Sequence, residues 1–270
     1  MNNSVAVIGK NAVQTALQRI FISKGVCSEL IDPSEPLTLS GRLQSFDSVV
    51  LPFPSKDDNI SFIKEHEREG LFEKNQLIIG GMIPEKVINH LEKAHVRVAD
   101  YFLDEAYVLK NAYLTYQGVL RLLSENTDSF LAEKTVLVTG YGRIAKPLCL
   151  ALRTLGMKVY VAVRSDIQSA EAGMMGFNTL KINSMKGALF YFDYIFNTVP
   201  FNIFDEKDIR HLKNSCVYFE IASFPYGALS EHFGFYGKKY ILSSALPGKF
   251  YPSGVAENIA EYLSRKGIIK

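Results

Sequence analysis

Short apolar runs alternate with amphipathic stretches along almost the whole chain. The first run, Val5-Ala-Val-Ile-Gly9, is followed by helical spacing over residues 12–23 that stops ahead of Gly25. A second run, Ser48-Val-Val-Leu-Pro52, ends at a proline, which cannot donate to a strand ladder. Leu77-Ile-Ile-Gly-Gly81 is a third, with a helix predicted over residues 84–94, and His95-Val-Arg-Val-Ala-Asp100 is a fourth. Strands separated by helices imply parallel β-α-β units. Residues 1–105 therefore read as a small doubly wound domain of flavodoxin or Rossmann type.

Residues 105–125 contain no strong breaker apart from Gly118, and Leu109, Ala112, Tyr113, Tyr116, Leu120 and Leu123 recur at helical spacing. This predicts a long helix, with residues 106–130 joining the two halves. Further apolar runs at 135–139, 158–163, 194–198, 217–222 and 240–243 make residues 131–250 a second α/β domain. Residues 253–266 are amphipathic again, so 251–270 is read as a C-terminal helix able to fold back across the first domain. The expected fold class is α/β: two doubly wound Rossmann-like domains joined by a long helix. Ligands are expected at the carboxyl ends of the strands, in an inter-domain cleft.

Composition narrows the class of partner. The chain has 270 residues, 47% of them hydrophobic and 21% charged, as in ordinary globular proteins. Its 30 basic and 28 acidic residues leave a formal charge of +2, no reason to expect nucleic acid or an anionic membrane. The start MNNSVAVIGK lacks the basic head and apolar core of a signal peptide. Nowhere are there about 18 uninterrupted apolar residues; the stretch over 188–196 is broken by Asp193. Cys27, Cys149 and Cys216 are far apart and are read as reduced core thiols of a cytoplasmic protein. No Cys or His spacing suggests metal, and His66, His90, His95, His211 and His232 are scattered and carry no assigned role.

One segment carries recognisable chemistry. Thr135-Val-Leu-Val-Thr-Gly140-Tyr141-Gly142-Arg143-Ile144-Ala145 is a strand followed by G-x-G-x-x-A, with helical spacing over 146–155. In a dinucleotide-binding domain the first glycine permits the tight turn and the second lets backbone approach the pyrophosphate. The small third residue keeps the helix near the sheet, and the helix N-terminus offers N–H groups to the phosphates. The motif string alone is weak; the strand before and the helix after are what it needs. Gly9-Lys10-Asn11 in the first domain lacks the second glycine and is read as a structural turn that holds no ligand.

Cofactor choice turns on the next strand. An NAD site usually ends that strand in a carboxylate for the ribose 2′-hydroxyl. Here it ends in Arg164-Ser165, which suits the charge and geometry of a 2′-phosphate and points to NADP. Asp166 offers an alternative as a displaced ribose ligand. Asn197-Thr198-Val199-Pro200, Ala222-Ser223 and Leu246-Pro247-Gly248 are candidate walls for the rest of the cofactor, although their prolines also terminate strands.

The combination resembles the A subunit of dipicolinate synthase, from the dipicolinate branch of lysine biosynthesis in sporulating bacteria. The likeness runs through Ile79-Gly-Gly81, Asn111, Thr115, Gly118, Gly140-Tyr-Gly-Arg143, Arg164-Ser165, Asn197-Thr-Val-Pro200, Ala222-Ser223, Leu246-Pro-Gly248 and residues 252–256. The resemblance implies a two-domain, NADP-binding protein. With a second, flavoprotein-like subunit it would oxidise a tetrahydrodipicolinate-type cyclic dicarboxylate to dipicolinate. Gln117 stands where that family usually has glutamate, and Phe224 where it usually has arginine. Neither replacement can do what the usual residue does as proton acceptor or carboxylate ligand.

Aromatising a cyclic dicarboxylate needs a hydride acceptor, a proton acceptor and cations for two carboxylates. Arg143 is a candidate cation, with pyrophosphate binding as its other role. Lys249 is a candidate for a carboxylate or for proton transfer, and equally a solvated loop lysine. Thr115 and Gln117 share one side of the linking helix and either line the cleft or pack at its interface. No residue pair identifies a general base. Two rival readings stay open: an NADP-binding regulatory or scaffolding subunit, and a D-2-hydroxyacid dehydrogenase-like enzyme. The latter is weakened because residues 243–248 hold no histidine. The oligomeric state is open, and a homo-oligomer is compatible with the sequence.

Overall fold

The computed structural model describes residues 4–34, 39–55, 57–65 and 70–269; His66 lies outside them. The chain divides into two compact units, Met1–Asn111 with Pro247–Lys270, and Ala112–Leu246.

The first unit contains β1 (Ser4–Ile8), α1 (Ala12–Ser23), β2 (Cys27–Ile31), α2 (Leu39–Gln44), β3 (Ser48–Val50), α3 (Ser61–Glu65), β4 (Leu77–Gly80), α4 (Glu85–Lys93) and β5 (Arg97–Asp100). Its five strands form a parallel sheet in the order β2-β1-β3-β4-β5. The inner strands β3 and β4 are buried at every position, as expected where crossover helices cover both faces of a parallel sheet. Strand β2 is not among the strands expected from sequence. Its residues, Cys27-Ser-Glu-Leu-Ile31, are partly polar because an edge strand keeps partial contact with water, so it lacks the apolar run that marks the inner strands. Cys27, at its start, is exposed and is not the core thiol expected. Cys149 and Cys216 are buried, and desolvation pushes each thiol up to about 12.

Helix α5 (Glu105–Glu125) crosses the boundary between the units. Its buried side is Tyr107, Ala112, Thr115, Val119, Leu122 and Leu123. Leu109 and Tyr113, expected on the inner stripe, are 49% and 53% exposed, and Tyr113 packs edge-on against Tyr116 at 4.6 Å. Two stripes on this helix have apolar spacing, so its periodicity does not choose between them; packing does.

The second unit contains β6 (Thr135–Thr139), α6 (Ala145–Thr154), β7 (Lys158–Val163), α7 (Asp166–Met174), β8 (Asn178–Lys181), α8 (Ile182–Met185), β9 (Tyr194–Asn197), α9 (Glu206–Arg210), β10 (Val217–Glu220), α10 (Ser230–Phe235) and β11 (Lys239–Leu242). The six strands are parallel in the order β11-β10-β9-β6-β7-β8, the strand order of a dinucleotide-binding domain, with its switch point between β6 and β9. Strand β8 is another polar edge strand that the apolar pattern does not mark. The short α11 (Leu246–Phe250) leads into α12 (Pro252–Arg265). Helix α12 packs along α1 within the first unit. Asn258 Nδ2 donates to the Tyr107 carbonyl at 3.0 Å, and Arg265 pairs with Asp104 at 2.8 Å. Among the described residues no helix is long and apolar enough to cross a membrane.

Candidate dinucleotide site

The glycine loop sits where β6 ends and α6 begins. Gly140 takes φ +84°, and its N–H donates to the Ala162 carbonyl at 2.8 Å, tying the turn to β7. A Cβ on Gly140 would lie 2.7 Å from Thr198 Oγ1 and 3.2 Å from a Val199 methyl, so the β9 loop lies directly against it. Gly142 differs: a Cβ there would meet no atom within 4 Å. Its lack of a side chain serves neither conformation nor packing and leaves open space above the loop. Ala145 is fully buried, consistent with close helix–sheet approach. Ile144 is the N-cap of α6 and makes no side-chain cap; in the first turn Lys146 N–H donates to the Gly142 carbonyl at 3.0 Å and Pro147 has no N–H. An uncapped helix start beside open space is a ready anion site.

A cavity of about 230 Å³ opens over this loop. Gly140, Tyr141 and Gly142 form one wall, with Val163, Arg164 and Gln168 from the end of β7 and the first turn of α7 as a second. Thr198, Val199 and Pro200 close it on the β9 side, together with Ile182. Arg164 is exposed at the rim, 6.0 Å from the Phe201 ring centroid. Val163, Gln168 and Ile182 are not among the residues singled out by sequence. Gln168 lies one helical turn beyond Arg164, a spacing that can flag it. Ile182 follows the edge strand β8, which itself lacks a sequence signal.

Other expected site residues lie outside this lining. Ser165 is the N-cap of α7, its hydroxyl accepting from Gln168 N–H at 3.5 Å. Arg143 is exposed in the turn ahead of α6 and Ile144 is half-buried. Ala222 is buried, with its N–H on the Asn197 carbonyl at 3.1 Å, whereas Ser223 is exposed. Leu246 ends the second unit; Pro247, Gly248 and Lys249 belong to the first, where a Cβ on Gly248 would stand 3.3 Å from Phe53. Lys249 is exposed, its ammonium 5.1 Å from the Phe250 ring centroid. Thr115 is buried and Gln117 half-buried on α5. Asp166, the alternative ribose ligand, pairs with Lys181, which lowers its pKa.

Asn197 is not part of this lining. It is fully buried, its Oδ1 accepting from Thr139 Oγ1 and Val199 N–H while its Nδ2 donates to the Val199 carbonyl at 3.0 Å. It therefore shapes the Thr198–Pro200 wall from behind. Glu220, at the end of β10, holds Asn197 in turn. Its buried carboxylate accepts from Asn197 Nδ2 at 2.6 Å, Gly227 N–H at 2.8 Å, Tyr218 Oη at 3.1 Å and Ala222 N–H at 3.2 Å. Desolvation outweighs these four donors and raises the Glu220 pKa. Sequence reasoning misses Glu220 as a site residue, because only the fold shows that a strand-end glutamate points inward.

Residues 111–228 match the family model of the NAD binding domain of S-adenosyl-L-homocysteine hydrolase. Over 112 residues the chain is 30% identical to S-inosyl-L-homocysteine hydrolase of Methanothermobacter thermautotrophicus, covering 41% of this chain and 26% of that protein. Adenosylhomocysteinase of Thermotoga maritima is 30% identical over 115 residues, covering 41% and 27%. The chain thus spans about a quarter of the length of these relatives. Among solved structures, the A polypeptide of dipicolinate synthase from Bacillus subtilis superposes with a TM-score of 0.80 at 20% identity, covering 99% of this chain and 97% of that one. Its counterpart from Bacillus halodurans gives 0.80 at 19% identity and 98% coverage of both. D-lactate dehydrogenase from Escherichia coli gives 0.61 at 14% identity, covering 98% and 97%. The matched domain and the open glycine loop support a nicotinamide cofactor, and the chain has, over 99% of its length, the fold of the dipicolinate synthase A polypeptide.

Proposed function

We propose that this chain is one component of a dipicolinate synthase-like oxidoreductase, acting with a second, flavoprotein-like subunit to dehydrogenate a tetrahydrodipicolinate-type intermediate with NADP. The observation that carries the reading is the open Gly142 position beside an uncapped α6, with Arg164 at the rim of the same cavity. NADP would supply the hydride acceptor. The backbone from Gly140 to Ile144 would hold its pyrophosphate, and Arg164 its 2′-phosphate. Gln168 and the Ser165 hydroxyl, whose proton is not used in capping, are further donors there. Asp166 is engaged by Lys181 and does not line the cavity, which favours the phosphate over a bare ribose hydroxyl. Thr198, Val199 and Pro200, with Ala222, Ser223, Leu246, Pro247 and Gly248, are assigned to the remainder of the cofactor, and Asn197 to holding that wall from behind. Arg143 and Lys249 are assigned to substrate carboxylates, and Thr115 and Gln117 to positioning.

Arg164→Ala is expected to weaken NADPH by about 1.5–3 kcal/mol, the loss of a charge-assisted phosphate contact, and to leave NADH almost unchanged. Fluorescence titration of both cofactors checks this. Equal wild-type affinity for the two would remove the basis for NADP.

The reaction is tested by near-ultraviolet absorbance of the aromatic product, followed with each polypeptide by itself and with the two combined. Little product is expected from this chain by itself and sustained product from the pair, because a partner surface excludes water and fixes the hydride-transfer geometry. A second reading, an NADP-binding regulatory subunit, is favoured by Phe224, which is 80% exposed and offers no cation. Intact NADP binding with no product from the pair would select that reading.

A further inference from the structure

The first unit holds a larger cavity, of about 490 Å³, at the carboxyl ends of β1, β2 and β3. The strand order turns there, β1 lying between β2 and β3, and such switch points are where open α/β sheets bind ligands. Gln14 lines this cavity, is only 1% exposed, and has an Oε1 with no hydrogen-bond partner. A buried acceptor left unpaired is costly and calls for a donor. Its amide lies against Gly9, where φ is +110° and a Cβ would come within 3.6 Å of it.

Asp32, also in the lining, follows β2 at the position where a doubly wound domain places the carboxylate that binds ribose hydroxyls. Lys10 Nζ sits 2.5 Å from its Oδ2 and Ser34 N–H donates to its Oδ1 at 3.0 Å. Those contacts, with a further hydrogen bond from the Ser34 hydroxyl, hold the carboxyl at about 2, so it is an acceptor throughout the neutral range, and three donors leave one of its four lone-pair sites for a ligand hydroxyl. Phosphate is disfavoured. Unlike α6, helix α1 is capped by its own side chain: Asn11 Oδ1 accepts from Val13 N–H at 2.9 Å and Gln14 N–H at 3.2 Å. Pro52 and Phe53, after β3, supply an apolar wall for a ring.

We infer that the first unit carries a second ligand site, for a phosphate-free nucleoside, with Asp32 accepting from its ribose hydroxyls and Gln14 Oε1 from a further donor of the ligand. Every residue lining this cavity belongs to the first unit.

The probe is adenosine, titrated calorimetrically into the full chain with and without saturating NADPH. Binding is expected in both conditions, with AMP weaker than adenosine. Asp32→Asn is expected to weaken adenosine by about tenfold or more, the loss of a charge-assisted hydrogen bond. Gln14→Leu is expected to raise the melting temperature, since it removes an unpaired buried acceptor, and yet to weaken adenosine. Arg164→Ala leaves adenosine binding unchanged. The proposal is overturned by no binding at millimolar adenosine, or by AMP binding more tightly than adenosine. It is also overturned by adenosine that NADPH displaces and that neither Asp32→Asn nor Gln14→Leu affects. The AMP and NADPH comparisons use the wild type and stand whether or not a variant folds.

Discussion

Gly142→Val is expected to abolish NADP(H) binding while the protein keeps its cooperative thermal transition. The Gly142 site has no atom within 4 Å of a prospective Cβ and no left-handed backbone, so the Cβ of valine is accommodated without a clash. Stability should change by less than about 1 kcal/mol, as for surface substitutions outside special sites. The new methyl groups would fill the space the pyrophosphate needs, and affinity should fall at least about a hundredfold. Gly140→Ala is the contrast within the same loop. There φ is +84° and Thr198 Oγ1 stands 2.7 Å from the added carbon, so the variant should lose about 1–3 kcal/mol of stability before binding is considered. Cofactor titration and thermal melting of both variants separate the two roles. Unchanged binding in Gly142→Val would place the dinucleotide elsewhere.

Glu220→Leu is expected to cost about 3–5 kcal/mol, because it leaves the Asn197 amide, the Gly227 and Ala222 N–H groups and the Tyr218 hydroxyl without their acceptor. Glu220→Gln keeps the size but turns an N–H₂ toward groups that all donate, and should cost about 1–3 kcal/mol. Both variants should also weaken NADP(H), since Glu220 holds Asn197 and Asn197 shapes the Thr198–Pro200 wall. The pH dependence gives an independent check. Burial raises the Glu220 pKa above its unfolded value of 4.5. The native state therefore holds this proton more tightly than the unfolded chain does. The contribution of Glu220 to stability is complete below 4.5 and declines as pH rises through the raised, folded-state pKa. Denaturant unfolding at a series of pH values should show that decline in the wild type and a flatter profile in Glu220→Gln. A Glu220→Leu protein as stable as the wild type would show that the four donors find other partners.

Local apolar runs mark a large part of the fold before any contact between elements is considered. Inner strands β1, β3, β4, β6, β7, β9 and β10, buried along most of their length, stand out as apolar segments between helical spacings. Helix α1 is legible over residues 12–23 and α5 over 105–125. The glycine loop is legible too, since its residues are contiguous and flanked by a strand and a helix, as is Arg164 at the end of β7. The edge strands β2 and β8 are not, because part of each meets water and polar residues interrupt the signal.

The tertiary structure alone decided which residues share a wall. Ile182 joins Gly140 in one cavity, far from it in sequence, through a strand order that no local pattern encodes. It also decided that Asn197 supports the wall instead of lining it, and that Glu220 turns inward to four donors. Asp32 and Gln14 likewise meet at one switch point only because β1 and β2 pair in parallel register. Periodicity reports how a residue relates to its own helix or strand. Partnership between side chains depends on which elements pack together, and that is fixed by burial of the whole sheet.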